Sequence, residues 1–304
     1  MSKRSVVFAV IATVAIIMLG VSLTVLKQDW LGRQTAQETV SPPETVPQEA
    51  QEAVNPLEIV THRAFYRLSL VPGAATESAV LDVQGGMSFE WTDTCDGWTN
   101  EQRYVMRFSR DDGTQVEVAT SYVTWESKDG LDYRFNVKRT TNGVDTEVVS
   151  GHATLDSVGG PGMARFEQPA TDTIALSAGT IFPTEHSLIL LKKAIAGEKV
   201  DRHMVFDGAE VEGAAPVTTI IMAQRPAPDI EAMQTPMGPY PVWPMQIAFY
   251  AADGKAGSGE ELPDFELALD MQENGIVTAM TLGFDGFKVL GTMERIEAIP
   301  RPAC

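Results

Sequence analysis

The sequence predicts an all-β protein: a single antiparallel β-barrel with one main α-helix. Two observations lead to this fold class. First, eight Asp-Gly or Asn-Gly pairs punctuate the chain, and such pairs tolerate the positive φ angles of tight hairpin turns. Second, hydrophobicity alternates with period two between these pairs, which is typical of strands that bury one face. One-sided strands at regular spacing indicate a meander around one core, as a barrel or a sandwich.

The alternation defines the buried face of several strands. It is clearest in three segments, whose apolar members are Leu131, Tyr133, Phe135 and Val137, then Tyr104, Met106 and Phe108, and finally Phe265, Leu267, Leu269 and Met271. A proline-rich stretch follows a different pattern. Seven prolines between Pro216 and Pro244 should interrupt any strand, so we expect a long loop or a ragged barrel edge there.

One segment has the pattern of a helix. We expect it over residues 184–196, with Thr184 as its N-cap and Gly197 as its stop signal. Leu188, Leu191 and Ile195 would form the apolar stripe, and an isolated helix among strands most often blocks a barrel end or packs across a sheet. The stripe should therefore face the barrel interior.

The helix also carries the candidate partner surface, Lys192 and Lys193. If the apolar stripe faces inward, these two lysines point outward in a protein that is otherwise strongly acidic, and could meet an acidic partner. The alternative is that they only complement the negative C-terminal end of the helix.

The N-terminus predicts export. Residues 5–26 are uncharged and strongly apolar and follow Lys3 and Arg4, so they can span a hydrocarbon core of about 30 Å with the N-terminus inside. We expect a cytoplasmic stub at residues 1–4 and a signal-anchor at 5–26, with a cleaved signal peptide as the alternative. Residues 27–57 are rich in proline and glutamate and predict a tether, or a disordered stub, ahead of a barrel domain at 58–304. The barrel would then be periplasmic and tethered to the inner membrane.

The net charge limits the possible partners. The chain has 41 acidic and 23 basic residues, for a formal charge of −18. This argues against nucleic acid, because phosphate binding depends on Lys and Arg, and it disfavours adsorption to anionic lipid. The acidity is better explained as a means of keeping an exported protein soluble.

Cys95 and the last residue, Cys304, are the two cysteines of the chain. Neither lies in a CxxC motif or beside clustered histidines, so the spacing does not indicate a zinc ligand or a redox pair. A single long-range disulfide is the economical explanation, since an oxidising compartment would preserve it. On the residues alone, two unrelated thiols remain the alternative.

The motifs of common enzymes are missing from the sequence. It has no G-x-S-x-G elbow, phosphate loop, dinucleotide fingerprint or H-E-x-x-H motif, and its histidines, at positions 62, 152, 186 and 203, share no ligand spacing. We therefore predict no catalytic residue, no cofactor and no metal site. Thirteen methionines and several tryptophans could line an apolar cavity, although core filling is the simpler interpretation.

Several short motifs follow one another along residues 58–304. They are His62-Arg-Ala-Phe-Tyr-Arg-Leu68, Cys95-Asp-Gly-Trp-Thr99, Thr124-Trp-Glu126, Asp129-Gly130 with Tyr133-Arg-Phe135, Gly179-Thr-Ile-Phe-Pro-Thr184-x-His186, Phe206-Asp-Gly208 and Pro302-Ala-Cys304. This ordered set resembles the EipB family of cell-envelope integrity proteins. The resemblance implies a periplasmic, spiral-shaped β-barrel with one helix and a disulfide between Cys95 and Cys304.

The same resemblance implies a function without enzymatic activity. It implies maintenance of the Gram-negative envelope under stress, with a tetratricopeptide-repeat periplasmic protein as the type of partner. Barrels of similar architecture handle lipoproteins or apolar ligands, so a protein that carries or binds lipid or lipoprotein acyl chains in the barrel cavity is the alternative function. A hydrolase of envelope polymers is a further alternative.

Overall fold

The computed structural model describes residues 57–73, 79–228, 238–252, 262–284 and 286–304. The predicted stub, signal-anchor and tether lie outside the described residues, apart from Leu57. Within the described ranges, no helix is both long enough and apolar enough to cross a membrane.

The described residues form fifteen strands and one helix. In chain order these are β1 (His62–Leu70), β2 (Val80–Asp93), β3 (Gly97–Arg110), β4 (Gln115–Ser127), β5 (Asp132–Thr141), β6 (Val144–Leu155), β7 (Gly162–Gln168), β8 (Asp172–Leu176), β9 (Thr180–Ile181), α1 (Pro183–Ile195), β10 (Val200–Val205), β11 (Ala215–Ile221), β12 (Val242–Phe249), β13 (Phe265–Gln272), β14 (Val277–Phe284) and β15 (Phe287–Ala298). The prediction of an all-β fold with one main helix is confirmed.

All fifteen strands belong to one sheet, in the order β8-β7-β6-β5-β4-β3-β2-β1-β15-β14-β13-β12-β11-β10-β9. Neighbouring strands are antiparallel except β9 and β10, which pair in parallel over two residues. The two end strands, β8 and β9, follow each other in the chain and are separated by residues 177–179. The sheet therefore curls back on itself into a nearly closed barrel.

Period-two alternation places the core as the sequence predicts. In β5, Tyr133, Phe135 and Val137 are buried while the residues between them are exposed. Tyr104, Met106 and Phe108 of β3 are also buried. Because successive side chains of a strand point to opposite faces, one such strand gives both a core face and a solvent face.

The Asp-Gly and Asn-Gly pairs mostly mark hairpin turns. Among the pairs that the structure describes in full, five lie at short connections between consecutive strands, at 96–97, where Gly97 begins β3, and at 112–113, 129–130, 142–143 and 274–275. Asn142 and Gly143 both have positive φ, of 52° and 76°, as a two-residue hairpin loop requires. Asp207-Gly208 is an exception, because it follows β10 and packs inside the barrel.

Two details of the predicted pattern are wrong. Pro216 and Pro244 do not interrupt strands but lie within β11 and β12. Although proline has no backbone N–H to donate, the carbonyl of Pro244 accepts the Met222 N–H at 2.9 Å, so it still contributes to the hydrogen bonding between neighbouring strands. The apolar stripe of α1 is centred on Leu190, Leu191 and Ala194. Ile195, at the edge of that stripe, is 48% exposed.

Candidate functional site

Several buried polar groups lie where α1 packs against the barrel wall. At the centre of this junction, the carboxylate of Glu126 in β4 accepts the backbone N–H groups of Thr184 at 2.7 Å and Glu185 at 2.8 Å. These are donors that the first turn of a helix leaves unpaired. The N-cap residue itself is Phe182 and makes no side-chain cap bond. The prediction that Thr184 caps the helix is therefore wrong, since Glu126 caps it from 58 residues away.

Burial and hydrogen bonding act on Glu126 in opposite directions. Its side chain is almost fully buried, and burial raises its pKa to about 7 although the two backbone N–H bonds lower it. Both carboxylate oxygens are occupied by the helix. Glu126 is therefore placed as a cap and not as a free acid or base.

The loop after β10 forms a second connection to the barrel wall. The carbonyl oxygen of Asp207 accepts hydrogen bonds from the hydroxyl groups of Tyr122 and Tyr133, the latter at 2.8 Å. Gly208, with φ of +67°, lies so close to Phe135 that an added Cβ would be 2.4 Å from the ring. A glycine is thus required here both by the backbone angle and by the space.

Aromatic rings fill the space around this loop. Phe182 stacks on Tyr133 with ring centroids 4.9 Å apart, and Phe206 meets Phe135 edge to face at 5.6 Å. Phe166 completes the group. Phe182 and Phe206 flank α1 and β10, so this cluster fixes both ends of that segment against β5 and β7.

Arg139 is a buried cation at the same junction. Its side chain is 5% exposed, ion-pairs with Glu147 and, at 3.2 Å, with Glu210, and donates to the carbonyl of Ala209 at 3.0 Å. Burial raises the pKa of Glu210 to about 7, while Arg139 lowers it. Because a buried charge is costly without a partner, this network ties the 206–210 loop to β5 and β6.

Histidines that are scattered in the sequence meet on the other side of α1. His186 Nε2 lies 3.3 Å and His203 Nδ1 lies 2.8 Å from Asp201 Oδ2, and Lys193 Nζ lies 3.1 Å from Asp201 Oδ1. Burial alone would raise the pKa of Asp201, but these three partners hold it well below its usual range. The sequence interpretation that the histidines share no ligand spacing missed this cluster. The available signal was Asp201-x-His203, two polar side chains on one face of a strand.

The structure separates the two lysines of the candidate partner surface. Lys192 is exposed and has no ion pair among the described residues, whereas Lys193 pairs with Asp201 and, at 3.5 Å, with Glu198. Lys193 is therefore only partly available to a partner, because its ammonium is held by two carboxylates. Both residues do lie in the last turn of α1, where a cation complements the helix dipole.

Cys95 and Cys304 form a disulfide with an S–S distance of 2.02 Å. Cys95 lies in the β2–β3 turn, where its N–H donates to Asp93 Oδ1 at 2.9 Å. Lys128 pairs with Asp93 at 3.0 Å and lies over the Trp98 ring. The predicted disulfide is confirmed, and it joins the last residue of the chain to a braced turn beside β1.

Among the tryptophans that the structure describes, Trp91 and Trp243 are buried in the main core cluster, and Trp98 packs against it with its ring centroid 6.0 Å from that of Trp91. Trp125 lies at the disulfide turn, where its Nε1 donates to Thr94 at 3.1 Å, and Trp98 lies under Lys128. These side chains therefore fill the core and pack at the disulfide turn.

Comparison with known proteins agrees with this architecture. A family model described as EipB-like matches residues 53–300. The cell envelope integrity protein EipB of Brucella abortus (strain 2308) is 30% identical over 253 residues, which is 82% of this chain and 87% of that protein. The crystal structure of a β-barrel-like protein from Brucella abortus, described as a domain of unknown function, superposes with a TM-score of 0.72 at 28% identity, covering 80% of this chain and 100% of that one. The motifs, the fold and the family match coincide, and the chain belongs to the EipB-like family.

Proposed function

We propose that this protein supports the integrity of the cell envelope, as a non-enzymatic periplasmic protein that binds a protein partner. The observation that carries the proposal is the 30% identity to a protein named for cell envelope integrity, over 82% of the chain. The disulfide supports a periplasmic location, because such bonds persist in oxidising compartments. The apolar residues 5–26 support tethering to the inner membrane.

The arrangement of the buried polar groups favours a structural role over catalysis. A general acid or base must reach the proton that it transfers. Glu126 instead binds two backbone N–H groups, and Arg139 is held by two carboxylates and a carbonyl. These groups hold α1 and the 206–210 loop in place and leave the outer surface for recognition.

The exposed end of α1 is our candidate for the partner surface. Lys192 provides a positive charge there, and Lys193 adds a partly neutralised one. In a chain with a net charge of −18, such a spot could attract an acidic segment of a periplasmic partner, for which the resemblance suggests a tetratricopeptide-repeat protein. Complementary charge of this kind would mainly raise the association rate and select the partner.

Deletion of the gene followed by complementation tests the proposal. Wild type should restore growth under detergent stress and capture a partner from envelope extracts, and the double variant Lys192→Ala/Lys193→Ala should lose both. The variant Lys288→Ala, which removes an exposed lysine of β15, is the matched control and should retain both. Normal stress survival of the deletion strain would refute the role in the envelope. If the deletion strain loses survival but the double variant still captures the partner, only the lysine surface is refuted.

Carriage of lipid or lipoprotein acyl chains is the second candidate. An open groove of about 590 Å³ lies on strands β1–β5 and β15 and is lined by apolar side chains that include Phe65, Met87 and Val105, with Arg103, Lys138 and Glu294 among its polar members. This volume is in the range of small-molecule sites, and the cations could meet an anionic headgroup. Mass spectrometry of organic extracts of the purified protein distinguishes the two functions, since a carrier should copurify with lipid and a protein-binding component should not.

A further inference from the structure

The side chains of His186, Asp201 and His203 converge between α1 and β10. Asp201 and His203 are two residues apart on β10 and therefore point to the same face of the sheet, the face on which the first turns of α1 place His186. The side chain of Asp201 is 0% exposed and that of His186 is 7% exposed, while that of His203 is 27% exposed. Two imidazoles and one carboxylate thus meet with one side open to solvent.

The spacing of these three groups suits a metal ion. Their ligand atoms all lie within 4.8 Å of one another, and the two imidazole nitrogens are 2.8 and 3.3 Å from the same carboxylate oxygen. In a tetrahedral zinc site, bonds of about 2.0–2.1 Å separate neighbouring ligand atoms by about 3.3 Å. The cluster therefore needs only a small movement to surround an ion.

The hydrogen bonding of the cluster is incomplete. His186 Nε2 and Asp201 Oδ1 are both buried, and neither makes a hydrogen bond of good geometry, although His186 Nε2 lies 3.3 Å from Asp201 Oδ2. Lys193 approaches Oδ1 at 3.1 Å, on the other oxygen from the one that faces the two imidazoles. Lys193 therefore leaves Oδ2 available to a metal ion, while its positive charge competes with that ion for the carboxylate.

We propose that His186, Asp201 and His203 form a binding site for a divalent transition metal, with zinc as the preferred ion. Two imidazole nitrogens and one carboxylate oxygen are a ligand set that zinc accepts, with a fourth position open for water or a partner's side chain. The ion would join the first turns of α1 to β10 and so fix the helix that carries Lys192. This inference is independent of the envelope role, because it concerns only the affinity of the chain for the metal.

The test is a metal titration of the purified full-length chain without a polyhistidine tag, after treatment with a chelator. Zinc added in competition with a chromogenic chelator should bind at one equivalent, and His203→Ala should weaken this affinity at least tenfold. His152→Ala is the matched control and should leave the affinity unchanged, because His152 lies on β6 beside Glu167, away from the cluster. Absence of stoichiometric zinc binding, or equal affinity in His203→Ala and wild type, would overturn the proposal.

Cobalt gives a second readout that does not depend on a variant's folding. Co²⁺ bound by the wild-type chain should show the intense visible absorption of a four-coordinate site, and zinc should displace it. A weak, octahedral-type spectrum overturns the proposal even if His203→Ala fails to fold. Lys193→Met provides a further check, because removing a competing ammonium from Asp201 should leave zinc affinity equal or tighter, and a loss of more than tenfold would count against a metal site.

Discussion

Gly208→Ala tests whether the loop after β10 is pinned against the barrel wall. Gly208 has φ of +67°, and an added Cβ would lie 2.4 Å from Cγ of Phe135. Phe135 cannot easily move away, because it is 3% exposed and packs against Phe166 and Phe206. The methyl group should therefore displace the loop, and with it the Asp207 carbonyl that binds two tyrosine hydroxyl groups.

The expected loss has two parts. Left-handed backbone costs a non-glycine residue about 1–2 kcal/mol, and forcing an extra carbon into a packed core costs about 1–3 kcal/mol. Gly208→Ala should therefore lower the free energy of unfolding by about 2–5 kcal/mol. Gly143→Ala isolates the first part, because Gly143 has φ of +76° and its Cβ would meet nothing within 4 Å.

Urea unfolding, followed by tryptophan fluorescence, measures both variants through the midpoint and the slope. We expect Gly208→Ala to lose clearly more stability than Gly143→Ala, at similar slopes. Equal losses in the two variants would refute the reasoning, because they would mean that the loop yields to the methyl group without cost.

Three further predictions concern the disulfide, the helix cap and the buried arginine. Cys304→Ser releases a link across 209 residues; the expected loss of about 2–5 kcal/mol should lower Tm by about 5–15 °C, and a reductant should bring wild type to the same Tm. Burial raises the pKa of Glu126 from 4.5 to about 7 in the folded state. Between pH 4.5 and 7 the folded state therefore binds more protons than the unfolded state, and the contribution of Glu126 to stability falls as the pH rises. Glu126→Gln should remove that trend, and its stability relative to wild type should improve by up to about 3 kcal/mol between pH 4.5 and 7.5; a difference that does not vary with pH contradicts this. Arg139→Met should cost about 3–5 kcal/mol in urea unfolding because two carboxylates lose their cation, whereas Arg107→Met, at an exposed pair, should cost at most about 1 kcal/mol.

The strands, most of the turns and the helix could be predicted because their signals are local. Alternation in β5 spans only a few residues, and Asn142-Gly143 marks its own turn without help from distant parts of the chain. A disulfide could also be predicted as the economical explanation of two cysteines, and the family resemblance implied that Cys95 pairs with Cys304. The prediction for Ile195 was wrong because a local signal has a limit. The spacing of apolar residues along a helix predicts a stripe, but it does not predict how the helix is rotated against the barrel.

The sequence by itself determined the all-β class and the helix, because these signals depend on nearby residues, and it favoured a disulfide between Cys95 and Cys304 without excluding two unrelated thiols. Only the tertiary structure decided how the polar groups meet. Glu126 caps a helix 58 residues away, and the carboxylate of Asp201 contacts the imidazoles of both His186 and His203. Such contacts depend on how β4 and β10 are placed around α1, and a shift of one residue in either strand would turn these side chains to the opposite face.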